Sequence, residues 1–362
     1  MFNVLLLGAG KIGKLISHLL VYSEDYRVYL ADVDERSVRE TCEQINNSNL
    51  TAVVIDVNNA TELDTFLTNT KIDAIISGLP HFCNPAVAQA ALKHNTHYFD
   101  LTEDVEVTRK IEAISAQSEK AFIPQCGLAP GFISIVTHDL MTRFDQVDTV
   151  KMRVGALPIN PSNALKYSLT WSTDGLINEY GNVCYGIEEG QFVPLRPLEG
   201  HETIEVDGLL YEAFNTSGGL GSLADNYKDR VKTMNYKTMR YPGHCEKIRL
   251  LMNDLKLNHD RDTFKRILEN AIPKTKQDVV IIYVAVTGTQ NGELFEENYV
   301  KKIYPHQIGD FHWAAIQVTT AAGICAIVDL VLNDKHPAQG FTALENFHLK
   351  DFLNNRFGEY YS

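Results

Sequence analysis

Positive charge is scarce in this chain. It carries 33 lysines and arginines against 46 aspartates and glutamates, a net charge of −13. No basic block interrupts the sequence, which argues against nucleic acid or an anionic membrane surface as a partner. Cysteine is sparse as well. Cys42, Cys83, Cys126, Cys184, Cys245 and Cys325 are widely scattered, with no pair at metal-ligand or redox-motif spacing. The expectation is free thiols in a reducing, cytoplasmic compartment and no bound metal. Long apolar runs are missing too. The best membrane candidate, residues 313–332, contains Gln317, Thr319, Thr320 and Asp329, so it is expected to be a buried helix rather than a span. The N-terminal apolar run is too short for a signal peptide and lacks a basic flank. No low-complexity tract or internal repeat is visible.

What is present begins at once. Asn3-Val4-Leu5-Leu6-Leu7 runs into Gly8-Ala9-Gly10-Lys11-Ile12-Gly13, residues 14–22 read as a helix, and a second apolar run, 26–31, ends at Asp32. A strand, a GxGxxG turn, a helix and an acid about 20 residues on form a dinucleotide fingerprint. Gly8 allows the tight turn, Gly10 lets the backbone approach a pyrophosphate, and Gly13 lets the helix pack on the strand. The helix N-terminus, at Lys11 and Ile12, offers N–H groups to phosphate. Asp32 can accept hydrogen bonds from an adenosine ribose, with Val33 beside it. The carboxylate favours NAD over NADP by repelling a 2′-phosphate, although nearby Arg36 would admit NADP.

The alternation continues: helix 35–44, strand 51–55, helix 60–67, strand 73–76, helix 85–93, strand 96–99, helix 104–118, strand 121–125. Six short strands separated by helices predict a doubly wound parallel sheet, the Rossmann form of the α/β class. Ligands in such sheets sit beyond the carboxyl ends of the strands. That edge would hold Asp56 and Val57, Ser77-Gly78-Leu79-Pro80, Asp100, and Cys126-Gly127. Asp100 reads equally as a helix cap or a site residue, and Asp56 as a turn residue or an adenine neighbour.

After Gly127 the pattern changes. Residues 132–144 read as a connecting helix. Alternating runs at 149–154, 166–171, 203–206 and 279–286 predict a mostly antiparallel sheet with helices on one face, and Gln290-Asn291-Gly292 predicts a type I′ hairpin turn. We expect a Rossmann domain over 1–128 plus 310–362, and an inserted α+β substrate and dimerisation domain over 129–309.

Two clusters in the insert carry polar chemistry. Thr216-Ser217-Gly218-Gly219-Leu220-Gly221-Ser222-Leu223 is a glycine loop ahead of a helix, suited to a carboxylate through Gly219 or simply a linker. In Met239-Arg240-Tyr241-Pro242-Gly243-His244, Arg240 could clamp a carboxylate, and Tyr241 and His244 could exchange protons with an amine. Trp171 reads as a pocket wall or a core residue.

These motifs in this order resemble the saccharopine dehydrogenase family: GAGKIG, SGLP, HYFDLTED, CGLAPGF, LTWSTDGL, FNTSGGL, MRYPGH and TTAAGI, spread over nearly the whole chain. The resemblance implies a Rossmann domain closed by its own C-terminal segment, an inserted α/β domain, and action on the C–N bond of an amino acid. Saccharopine reductases have aspartate in a GLDPG motif. Here that position is Ala129, and GLAPG is similar to the lysine 6-dehydrogenase branch. The implied reaction passes hydride to a nicotinamide by way of an imine. A base must take the amine proton first, and the candidates are Tyr241, His244 and Asp100, in that order. Alternatives are an imine reductase of polyamine synthesis, resembling carboxynorspermidine dehydrogenase, and a non-catalytic NAD(P)-binding protein. The partners expected are a small amino-acid substrate and a second copy of the chain.

Overall fold

The computed structural model describes all 362 residues. They form two compact units, Met1–Phe132 with Thr320–Ser362, and Ile133–Thr319.

The first unit alternates strand and helix: β1 (Phe2–Leu7), α1 (Lys11–Tyr22), β2 (Tyr26–Asp32), α2 (Glu35–Ile45), β3 (Leu50–Val54), α3 (Ala60–Asn69), β4 (Ala74–Ser77), α4 (Asn84–Lys93), β5 (His97–Asp100), α5 (Val105–Ser115) and β6 (Ala121–Ile123). All pairings are parallel, and the order is β6-β5-β4-β1-β2-β3. The direction of winding therefore reverses between β4 and β1. Strands β1, β4 and β6 are apolar on both faces because helices cover both. Leu5, Leu7, Ile75, Tyr98 and Phe122 pack with Val87, Ala88 and Ile111 from the helices.

Sequence patterning missed a seventh strand. Gly340–Phe341 adds to β6 in parallel, although it is only two residues long and has no alternation to read. The C-terminal residues that supply it are fastened by Asp329. Its carboxylate accepts from the Tyr26 hydroxyl (2.6 Å), the Asn355 amide (2.7 Å), the Asn333 amide (3.1 Å) and Arg356 Nη2 (2.5 Å). Arg356 also reaches Asp25 at 2.6 Å. The chain's end is thereby tied to the start of β2. The apolar helix Ala315–Leu332 is 94% buried.

The second unit is built on an eight-stranded mixed sheet. Its helices are α6 (Phe132–Met141), α7 (Thr173–Gly181), α8 (Leu223–Tyr227), α9 (His244–Arg249) and α10 (Arg261–Ala271). Its strands are β7 (Gln146–Pro158), β8 (Cys184–Glu188), β9 (Gln191–Leu195), β10 (Glu202–Val206), β11 (Leu209–Asn215), β12 (Val231–Arg240), β13 (Asp278–Gln290) and β14 (Glu293–Ile303), with β10-β11-β12-β7-β13-β14 as the main path. Only β12 and β7 run parallel. Gln290 pairs with Glu293 across Asn291 and Gly292, both at positive φ (52° and 82°), the type I′ turn that Asn-Gly predicts.

The expected strand at residues 166–171 is absent. That segment is irregular and makes one backbone bond across to another segment, Leu169 N–H to Pro273 O. Its alternation reports burial instead: Tyr167 and Leu169 point into a cluster with Ile177, Tyr180, Ile248 and Phe264 from α7, α9 and α10.

Asp329→Ala should lower the unfolding free energy by about 3 kcal/mol, the lower end for breaking a buried pair because Arg356 is part-exposed. Urea unfolding checks this. An unchanged midpoint would remove Asp329 as the fastening.

Candidate functional site

On the first unit, the carboxyl edge of the sheet is laced by backbone bonds that run on past the strands. Gly8 N–H bonds Ala31 O, Gly78 N–H bonds Leu7 O, Ile55 N–H bonds Asp32 O, and Cys126 N–H bonds Asp100 O. The loops carrying the motif residues are therefore held in register.

The glycines are used as the fingerprint requires. A Cβ on Gly13 would lie 1.9 Å from Gly8 O, so α1 can approach β1 only with glycine there. Gly8 takes φ +105°, and a Cβ on it would lie 2.9 Å from Gly78 O. A Cβ on Gly10, by contrast, would meet nothing within 4 Å. That is the one position of the three where the protein leaves room beside the backbone. Gly10 is also the N-cap of α1 and brings no capping side chain, whereas Asp34, Asn59 and Asp104 cap α2, α3 and α5. Space and a helix N-terminus at the same place suit a pyrophosphate.

Asp32 is locked in position. Its Oδ2 accepts from Ala9 N–H (2.8 Å) and its Oδ1 from Asp34 N–H (3.1 Å). Each oxygen keeps a lone pair for a ribose hydroxyl. These residues fit a dinucleotide. Arg36 is exposed and pairs with Glu40 at 2.6 Å. Around this edge Val33 is exposed, and Val57 and Leu79 are half-buried against the core. Asp56 Oδ1 closes an Asx turn on Asn58 N–H at 2.9 Å. Lys11, Gly78 and Pro80 are exposed and Ile12 half-buried. Gly127 is buried under Pro130 O, and Gly131 crosses so near that a Cβ there would lie 1.8 Å from Gly127 O.

Asp100 is neither an exposed helix cap nor an open site residue. It is fully buried. Oδ1 accepts from Thr102 N–H (2.9 Å) and Gln125 N–H (3.0 Å), and Oδ2 from the Tyr98 hydroxyl (2.7 Å) and Asn84 Nδ2 (3.2 Å). Ser77 Oγ donates to Asn84 Oδ1 at 2.7 Å, so the SGLP loop joins the same network. Burial pushes the Asp100 carboxyl up to about 6, against the four donors that favour its charged form.

On the second unit, the RYPGH segment is the end of a strand, a turn and the start of a helix. Arg240 ends β12, Gly243 turns at φ +90°, and α9 begins at His244. Glu212 on β11 fixes the turn by accepting from Gly243 N–H (2.8 Å) and Cys245 N–H (2.6 Å). Arg240 is 2% exposed. Its Nε donates to the Tyr180 hydroxyl (2.8 Å), and its Nη1 to Thr238 Oγ1 (2.6 Å) and Met239 O (2.9 Å). Nη2 lies 3.6 Å from Glu179. The guanidinium also lies over the Tyr167 and Tyr180 rings, 5.1 and 5.6 Å from their centroids.

The chain of donors continues. His244 Nδ1 is 2.7 Å from Leu165 O, and Nε2 is 3.0 Å from the Tyr180 hydroxyl. A carbonyl only accepts, so Nδ1 carries the proton and Nε2 accepts from Tyr180. Burial, then the Arg240 charge, lower His244 to about 3. It is a neutral ring that orients Tyr180.

Arg240 and His244 are thus brought together through Tyr180, but Tyr241 is not. Adjacent residues at a strand end face opposite sides. The Tyr241 hydroxyl donates to Pro158 O at 2.9 Å, and its ring stacks on Tyr211. Trp171 donates to the Tyr167 hydroxyl (3.1 Å) and covers Gly175, where a Cβ would meet its ring at 2.4 Å. Gly219 sits against the Tyr236 ring, 2.3 Å from a built Cβ. The helix after its loop, α8, is five residues long, too short for much dipole. Sequence reasoning missed Tyr180, Tyr167, Glu179, Glu212 and Asn84. They are scattered along the chain away from the motif residues, and Tyr180 meets Arg240 across 60 positions.

Comparison with known proteins gives two family matches. The saccharopine dehydrogenase NADP binding domain matches residues 4–122, and the saccharopine dehydrogenase C-terminal domain matches residues 127–359. Among solved structures, the chain is similar to apo saccharopine dehydrogenase (L-Glu forming) from Saccharomyces cerevisiae. Identity is 16% and the TM-score 0.77, over 95% of this chain and 94% of that one. A myo-inositol dehydrogenase from Corynebacterium glutamicum matches at 11% identity and TM-score 0.46, over 94% and 90%. At such identities the first likeness is one of fold.

His244 should make the second unit acid-sensitive. Between about 6.5 and about 3 the unfolded chain binds a proton that the folded ring refuses, so stability falls as pH drops through that window. In urea unfolding at pH values on both sides of it, His244→Gln should lose less stability on acidification than the unchanged chain. Equal losses would show that the ring is protonated in place.

Proposed function

This chain belongs to the saccharopine dehydrogenase family, and from that premise we propose that it is an NAD(P)-dependent oxidoreductase acting on the C–N bond of an amino acid. The cradle at Gly8–Gly13 with Asp32 supports a nicotinamide dinucleotide. When bound, the nicotinamide ring supplies the acceptor or donor of a hydride. Gly10 and the start of α1 would hold its phosphates, and Asp32 its adenosine ribose.

The observation that carries the substrate class is Arg240. A guanidinium this buried is costly unless it is held for a purpose. Tyr180, Thr238 and Met239 O fix its Nε and Nη1. Nη2, beside Glu179, keeps hydrogens for a substrate carboxylate. Tyr180 and His244 set the angle of the fork, so His244 is a positioning residue. At about 3 it is too weak a base for an amine proton. Asp100, with four donors, and Tyr241, bonded to Pro158 O, are likewise committed elsewhere. Ala129, in place of the aspartate of the GLDPG motif, favours the lysine 6-dehydrogenase branch over saccharopine reduction.

The purified chain should form reduced cofactor when NAD or NADP is offered with L-lysine or saccharopine. Arg240→Lys should raise KM by about 30-fold or more, the loss of a charge-assisted hydrogen bond from Nη2, while leaving cofactor affinity unchanged. No turnover with any amino acid, or an Arg240→Lys variant with the KM of the unchanged chain, would overturn the reading. Turnover only in reverse, with diamines plus aspartate semialdehyde and NADPH, would favour an imine reductase of polyamine synthesis.

A further inference from the structure

The sheet of the second unit ends on an open edge, β14. The strand is 11 residues long and pairs only with β13. Its outer row of backbone N–H and C=O groups meets no other strand. Leu294 is 71% exposed, and Tyr304, just after the strand, 50%; Phe295 and Val300 are exposed as well. Such a row is a template for another chain, and edges are commonly kept short or broken by proline for that reason. This one is long and contains no proline.

The charges along it are ordered. Glu293, Glu296 and Glu297 stand in the first half, Lys301 and Lys302 in the second. A strand of this order is complementary to its own antiparallel copy. A twofold axis at Tyr299 would set Glu296 opposite Lys302 of the second copy, and Glu297 opposite Lys301 of the second copy, with the reverse pairs by symmetry. Leu294 would face Tyr304, and Phe295 would face Ile303. The two members of each pair then lie on the same face of the continued sheet. A slip of one residue turns the two sets of side chains to opposite faces, and a slip of two sets Glu296 against Val300 or Tyr304.

The same register completes charges that the chain leaves open. Glu297 already holds Arg143, and Lys302 holds Asp207 at 2.9 Å. Glu296 and Lys301 have no ion pair within the chain; the Glu296 carboxylate accepts from Thr287 Oγ1 at 3.3 Å. Each cross pair therefore joins an existing ion pair to an open charge. Asp207 lies in the β10–β11 turn, so its bond to Lys302 holds that hairpin, with exposed Leu209 and Leu210, beside the strand.

We propose that β14 is the interface of a twofold homodimer, in which the sheet runs from one copy into the other by antiparallel pairing centred at Tyr299. Backbone hydrogen bonds and the exposed apolar side chains supply attraction, and the Glu–Lys pairs fix register and orientation. A twofold contact closes on itself, so the open edge is used up in two copies. The interface does not depend on the C–N reading above.

Sedimentation equilibrium of the full chain tests this. The unchanged chain should dimerise, more weakly as salt rises. Lys301→Glu and Glu297→Lys each set like charges opposite one another twice in the dimer. Each variant should self-associate about 10-fold or more weakly, with the thermal midpoint of a folded chain. Mixed in equal amounts, the two should form a heterodimer, and a chain carrying both substitutions should dimerise again. A monomeric unchanged chain, single variants that dimerise as tightly as it does, or no recovery on mixing and in the double variant would each overturn the interface.

Discussion

A carboxylate buried at the end of a parallel sheet must find a donor for each lone pair or lose its charge, and Asp100 finds four. Two are backbone N–H groups, from Thr102 just after β5 and Gln125 just after β6. Two are side chains, Tyr98 on β5 and Asn84 at the start of α4. Three loops are thereby pinned to one point, and Ser77 at the end of β4 fastens the other end of the third through Asn84. The cofactor edge owes its shape to this network. The β4 loop is fixed where Gly8 can pack on Gly78.

The second unit uses the same device with the sign reversed. Arg240 is a buried cation whose hydrogens are steered by a phenol, a hydroxyl and a carbonyl. The phenol of Tyr180 is in turn oriented by a histidine that burial keeps neutral. A line of directed hydrogen bonds from Leu165 O to the guanidinium leaves little rotational freedom at Nη2. In both units the rigid element is a buried polar or charged group held by directed hydrogen bonds.

The Rossmann elements were legible because their signal is local. Glycine spacing, strand–helix alternation and an acid at the right distance need no tertiary information. Where partners are distant the sequence was silent or misleading. Residues 166–171 alternate because a loop buries every second side chain, so the period reported burial rather than a ladder. Gly340–Phe341 is too short to carry a period. Tyr241 stands next to Arg240 in the chain and looked like its catalytic partner, yet a strand sends neighbours to opposite faces. Tyr180, the residue that does meet Arg240, lies in another element with nothing in its own surroundings to mark it. Asp100 was noticed for its place at a strand end, but its role depends on Asn84 and Gln125, which no spacing rule links to it.

C–N oxidoreduction requires hydride to leave the carbon that bears the amine. The direct measurement offers the chain an amino acid deuterated at that carbon, with oxidised cofactor, and locates the label by mass spectrometry and NMR of the reduced product. Deuterium at the nicotinamide ring, with a slower rate than for the unlabelled amino acid, is the predicted result. Reduced cofactor without deuterium, or no reduction with any labelled amine, would contradict C–N oxidoreduction as the function of this chain.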